Sequence, residues 1–181
     1  MKKIVLGVVA IAAVVLSSTL FVIDEGQAGI VVQFGKVKRD SDSGLPHVYE
    51  PGLHFKVPMI DEVRKLDARI QTMDAQADRF VTSEKKDLII DSYVKWRIND
   101  PRRYWVSFQG SERAADDRMS ALLRDVLNQV VNRRTVNDIT SSDRARAMAE
   151  ISEALQKRVS DLGIEVVDVR LKRVDFTPEI S

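Results

Sequence analysis

Cysteine is missing from all 181 residues. Disulfides, thiolate nucleophiles and cysteine metal sites are therefore excluded. Histidine is scarce, with only His47 and His54. They flank a turn, with no HExxH or paired His-carboxylate spacing, so a loop histidine and an exposed strand histidine explain them without a metal. No G-x-S-x-G occurs, and two histidines leave few serines a general base. Ser92 falls on the apolar side of a strand pattern and reads as a buried hydroxyl. Gly26-Gln27-Ala28-Gly29 lacks the further glycine and the Lys-Ser/Thr of a phosphate loop, and reads as a tight chain exit. Charge of one sign is lacking as well: 28 basic against 27 acidic residues leave +1. The basic spots Lys85-Lys86, Arg133-Arg134 and Arg144/Arg146 each have acids close by, so no nucleic-acid footprint is expected. No cofactor is expected.

What is present begins with a long apolar run. Residues 4–23, IVLGVVAIAAVVLSSTLFVI, carry no charge. As a helix rising ~1.5 Å per residue, they would span about 30 Å, the hydrocarbon thickness of a bilayer. Ser17, Ser18 and Thr19 are compatible, because a helical hydroxyl bonds back to a carbonyl one turn earlier. Lys2 and Lys3 precede the run, Asp24 and Glu25 follow it, and the next basic residue is Lys36. The expectation is an uncleaved transmembrane helix over 4–23, behind a cytoplasmic N-terminal tip. Residues 24–181 would form a single domain outside, in the periplasm of a Gram-negative cell. The competing reading is a cleaved signal peptide, for which Gly26-Gln27-Ala28 is a poor small-x-small site.

Beyond the run the pattern is first strand-like and then helical. Ile30, Val32 and Phe34 alternate with Val31 and Gln33; Leu53, Phe55 and Val57 with His54 and Lys56; Leu66, Ala68 and Ile70 with Asp67, Arg69 and Gln71. The clearest case is residues 88–98, where Leu88, Ile90, Val94, Trp96 and Ile98 share a face broken only by Ser92. Asp100-Pro101 predicts a capped helix start. Ala115, Met119, Leu122, Leu123, Val126, Leu127, Val130 and Val131 recur at helical steps. Thr140-Ser141-Ser142-Asp143 predicts a capping box before a helix with the stripe Met148, Ile151, Leu155, Val159 and Leu162. Gly163 is its expected left-handed stop. A last strand runs over 164–176, with Val167, Val169 and Leu171 on one face and a change of phase at Val174, which marks either a bulge or the strand's end. Thr177-Pro178-Glu179 is a further helix-start signal. This order predicts an α+β domain, an antiparallel-rich sheet with helices packed on one face.

Several segments together carry a resemblance. They are Glu25-Gly26-Gln27-Ala28-Gly29-Ile30-Val31, Tyr49-Glu50-Pro51-Gly52-Leu53-His54-Phe55, Ala77-Asp78-Arg79-Phe80-Val81-Thr82 and Leu162-Gly163-Ile164-Glu165-Val166-Val167-Asp168. The chain resembles the stomatin/prohibitin/flotillin (band 7, SPFH) family over almost its whole length, and Ala77 to Thr82 points to one branch of it. The resemblance implies a non-enzymatic scaffold in a bacterial inner membrane. It implies pairing with an HflK-like sister subunit in a hetero-oligomer, and regulation of an FtsH-like ATP-dependent membrane protease. Family members continue into a coiled-coil-forming region, expected to be absent from this chain. A stomatin-like lipid organiser acting without a protease is the alternative function; a membrane-anchored serine hydrolase is a third.

Two groups of residues are candidate contact sites. Pro58, Met59 and Ile60 are apolar residues in a proline-bearing loop, suited to a membrane interface by resemblance to stomatin-like proteins, with core packing as the alternative. Tyr104, Trp105 and Phe108 form an aromatic cluster that would suit either a subunit interface or the core.

Overall fold

The structure, a computed structural model, describes residues 2–141 and 143–176. The helix-start signal at 177–179 lies outside them, as does Ser142 of the expected capping box. The chain divides into two compact units, with the boundary between Arg69 and Ile70. The domain expected over 24–181 therefore has an internal division.

The first unit opens with helix α1, Lys2–Thr19. Near its end Ser17 Oγ donates to the Val14 carbonyl and Ser18 Oγ to that of Val15, both at 2.8 Å, and Thr19 Oγ1 donates to Val15 at 2.7 Å. The helix stops short of the expected 4–23 span. Its last four residues form strand β1, Leu20–Ile23, because their aromatic and branched side chains suit a pleated strand and a partner is available. Among the described residues, no helix is long and apolar enough to cross a membrane.

Strand β2, Gln27–Gln33, is the centre of a small antiparallel sheet. It is flanked on one side by β3, Lys36–Val37, and β4, Val48–Tyr49. The partner of β1 is β5, Gly52–Phe55. On the other side of β2, β6, Asp61–Asp67, pairs in unbroken register from Gln27↔Asp67 to Gln33↔Asp61. Ile30 and Val31 are both fully buried, so β2 is covered on both faces and the expected alternation does not hold. Gly29 is where β1 closes onto β2: a Cβ there would lie 2.2 Å from Ile23 Cδ1. Phe34, expected on the strand's apolar face, sits in the turn at φ 49° and is exposed.

The second unit is built on three antiparallel strands in the order β7-β8-β9. They are β7, Gln71–Val81; β8, Asp87–Ile98; and β9, Ile164–Phe176. Leu88, Ile90, Ser92, Val94, Trp96 and Ile98 are buried, as the period of two predicts. Between the strands' helical connections lie α2, Pro101–Phe108; α3, Glu112–Val131; α4, Val136–Thr140; and α5, Arg144–Val159. Helix α3 packs on β7 and α5 on β9, burying the predicted stripe of α3. Asp100 caps α2 by accepting from the Arg102 and Arg103 amides at 3.1 and 3.2 Å. The capping box opens α4 rather than α5. Thr135 and Asp138 form it, while Thr140 Oγ1 donates back to Val136 at 3.0 Å from the end of α4. Gly163, at φ 74°, ends the turn that follows α5. Strand β9 bulges at two places, since register shifts leave Lys172 and Val167 without partners on β8. The first falls at the expected change of phase and decides for a bulge over the strand's end. The second turns Val167 outward, against the expectation that it shares a face with Val169 and Leu171.

Candidate functional site

The β1–β5 ribbon has two unlike faces. Leu20 stands opposite Phe55 and Val22 opposite Leu53. All four are exposed, Leu53 at 62% and Phe55 at 71%. The other face carries Phe21, Ile23 and His54. Phe21 meets Tyr49 edge-on at 5.5 Å between ring centroids, and His54 lies 5.0 Å from Tyr49. His54 Nε2–H donates to the Glu50 carbonyl at 2.6 Å. The strand pattern had placed Leu53 and Phe55 on the apolar side and His54 opposite. The period is right and the sense is inverted, because this aromatic cluster supplies partners for the imidazole.

Three further parts of the first unit adjoin the ribbon. The Lys56 amide donates to the Thr19 carbonyl at 2.7 Å, tying the end of α1 to the segment after β5. Residues 57–61 then turn back, with the Asp61 amide donating to the Val57 carbonyl at 3.0 Å. Asp61 holds this turn through its carboxylate, which accepts from the Val57 amide at 2.8 Å and from Gln33 Nε2 at 2.5 Å. Burial alone would push the Asp61 carboxyl up. The hydrogen bonds from Val57 and Gln33, with the charges of Lys38 and Lys56, outweigh burial and hold it below the usual carboxylate range.

The predicted loop residues fall here. Pro58 is half-buried and Ile60 exposed. Met59 is fully exposed at φ 67°. Phe34 is 84% exposed and lines the same depression of about 460 Å³ as Lys56, Met59 and Ile60. Phe34, Leu53 and Phe55 were not among the predicted contact residues. The signal that could have found Phe34 is a large apolar residue directly before Gly35 and Lys36, where polar turn residues are the norm.

The aromatic cluster of α2 is mostly core. Tyr104 is fully buried and Phe108 nearly so, four residues apart on one side of the helix. Tyr104 stacks on Trp96 at 6.2 Å and meets Phe108 at 5.1 Å. Neither is available to a partner as placed, which corrects the interface expectation for both. Trp105 is half-buried beside the exposed Val106. Burial, with the charges of Glu112 and Asp116, pushes the Tyr104 hydroxyl up to about 12.

The second unit also holds an open groove of about 1110 Å³ between β7 and α3. Asp74, Asp78, Asp116, Asp117 and Asp125 line it, and Arg124 pairs with Asp78 at 2.6 Å. Burial, then repulsion from Glu112 and Asp117, raises the Asp116 carboxyl above the usual range. Among the described residues, no three His, Asp or Glu side chains gather as metal ligands. His47 donates from Nδ1 to Asp40 at 2.5 Å. Both histidines therefore bond acceptors within the first unit.

Comparison with known proteins agrees with the resemblance. The model of the SPFH domain / Band 7 family matches residues 21–181. Protein HflC of Haemophilus influenzae is 45% identical over 185 residues, covering all of this chain and 62% of the relative. The Escherichia coli K12 protein named Modulator of FtsH protease HflC is 41% identical over 221 residues, covering all of this chain and 66% of the relative. HflC of Vibrio parahaemolyticus is 41% identical over 212 residues, with 65% of the relative covered. The chain thus spans just under two thirds of the length of these curated relatives. It belongs to the SPFH domain / Band 7 family.

Proposed function

We propose that this chain is a membrane-anchored scaffold subunit that modulates an FtsH-like ATP-dependent protease and performs no catalysis itself. The observation that carries the reading is similarity along the whole of this chain to a relative named Modulator of FtsH protease HflC. We infer further, from what the family resemblance implies, that it works beside an HflK-like sister subunit in the bacterial inner membrane. The uncharged run that begins in α1, with lysines before it and acids after it, supports a single-pass anchor with the N-terminus in the cytoplasm. Residues beyond the anchor then stand in the periplasm. The exposed apolar face of the ribbon, with Pro58, Met59 and Ile60, rests against lipid, and Trp105 with Val106 is the part of α2 left for subunit contact.

Mild detergent extraction and co-purification of the full chain test this. Recovery of a related subunit and a membrane ATP-dependent protease is expected; recovery of the free chain alone overturns it. The exposed apolar ribbon by itself also favours a lipid organiser acting without a protease. Deleting the gene separates the two, since that second function leaves the lifetimes of the protease's substrates unchanged.

A further inference from the structure

We propose that the end of the first unit formed by Phe34, Lys36, Lys38, Lys56 and Met59 recognises anionic phospholipid at the bilayer surface. The inference rests on the membrane reading above and adds the lipid class.

Two observations carry it. Phe34 and Met59 are large apolar residues held at φ 49° and φ 67°, in a backbone region that non-glycine residues rarely occupy. Each is exposed at the tip of a turn, and both line one depression. Strain of this kind clusters at functional positions such as ligand-binding clamps. The second observation is charge. Lys36 stands opposite Gln33, directly after the Phe34 turn, and Lys56 lines the depression. Lys38 follows β3 and lies close enough to bear on Asp61. None of the three lysines takes part in a salt bridge among the described residues. Of the acids at this end, Glu62 is paired with Arg64 at 2.7 Å, and the single charge of Asp61, held by Val57 and Gln33, faces both Lys38 and Lys56, so three lysines outnumber one unpaired carboxylate. The uncommitted charge around two outward apolar tips is therefore positive. Apolar residues that enter the acyl boundary, ringed by lysines whose heads stay at the headgroup level, match an anionic lipid surface.

Because the chain lacks cysteine, Met59→Cys in the full chain gives a unique site for an environment-sensitive fluorophore. The labelled protein is placed in nanodiscs of phosphatidylcholine, with or without phosphatidylglycerol. A blue shift is expected in both lipids and a larger one with phosphatidylglycerol. Each of Lys36→Gln, Lys38→Gln and Lys56→Gln should move the equilibrium between exposed and seated tip by about 5-fold in the anionic discs. Added salt should erase the difference between the two lipids. Equal spectra in the two lipids, both shifted from detergent, overturn the lipid selectivity and leave the membrane reading standing. No shift in either lipid means the tip never meets the bilayer, and the underlying reading falls with it. Reversal by free inorganic phosphate overturns the proposal in favour of a soluble anion.

Discussion

The carbonyl oxygen of Asp100 lies 2.3 Å from where a Cβ on Gly163 would stand. The Asn99 and Asp100 amides donate to the Gly163 carbonyl at 3.1 and 3.2 Å, so the start of α2 and the start of β9 are fastened to each other there. Gly163→Ala meets two penalties, the φ of 74° and a clash with backbone at Asp100 and Tyr104. A loss of about 3 kcal/mol or more is expected in denaturant unfolding. Gly35→Ala is the control: its φ is 76°, yet nothing lies within 4 Å of the new carbon. It should cost only about 1 kcal/mol, the conformational part alone.

Tyr104→Phe should leave the protein as stable at neutral pH, or up to about 1 kcal/mol more stable. The hydroxyl is buried with no hydrogen-bond partner among the described residues, so its removal deletes a desolvated group and keeps the ring. The pH dependence separates this from simple packing. Burial, with the charges of Glu112 and Asp116, pushes the folded Tyr104 hydroxyl up to about 12, against about 10 for an unfolded chain. The folded state therefore holds the proton more tightly, and this contribution is complete below about pH 10 and lost as pH rises towards 12. Melting curves across that range should fall more steeply for the natural protein than for Tyr104→Phe.

The second unit was readable from sequence because its elements are long and one-sided. Eleven residues over 88–98 alternate with one break, and the α3 stripe holds through several turns, so period alone assigned the buried faces. In the first unit the period of two at Leu53, His54 and Phe55 was visible. Which face meets solvent was not, because apolar residues are expected inside unless something else covers them. Only the placement of Tyr49 and Phe21 beside His54 reveals the reversal. The capping box failed differently. Thr135 to Asp138 and Thr140 to Asp143 have equal spacing, and choosing between them needs the position of α4, a five-residue helix too short for periodicity. Met59 stood out as a candidate contact residue because proline marks its turn, and Phe34 did not because a strand pattern runs into it.

Asp61→Asn should loosen the turn at residues 57–61. An amide cannot accept from both the Val57 amide and Gln33 with the strength of a carboxylate, so a local loss of about 1 kcal/mol is expected. The natural carboxyl is held below its unfolded value. Its contribution is therefore present above about pH 4, and is lost as pH falls through the lower folded value. Hydrogen exchange at the Val57 amide measures this. Protection should decline on acidification in the natural protein and stay nearly flat, at a lower level, in Asp61→Asn. A variant as protected as the natural chain at neutral pH would show that the backbone bonds of the turn suffice.

Opposite faces of one ribbon should respond oppositely to substitution. Phe55→Ser removes a ring that is 71% exposed and pairs with the exposed Leu20, so thermal stability in detergent should change by no more than about 0.5 kcal/mol. His54→Ala, one residue away, removes the ring contacts to Phe21 and Tyr49 and the bond to Glu50, and should cost about 1–2 kcal/mol. In lipid the ranking should reverse. Burying a phenylalanine side chain contributes about 1.5–3 kcal/mol, so Phe55→Ser should weaken seating of the ribbon and expose Leu53 to a water-soluble quencher or label. His54→Ala, with the outer face intact, should keep Leu53 shielded. If Phe55→Ser instead destabilises the protein in detergent as much as His54→Ala does, the outer face is covered by protein and the lipid contact is lost as an explanation for its exposed apolar row.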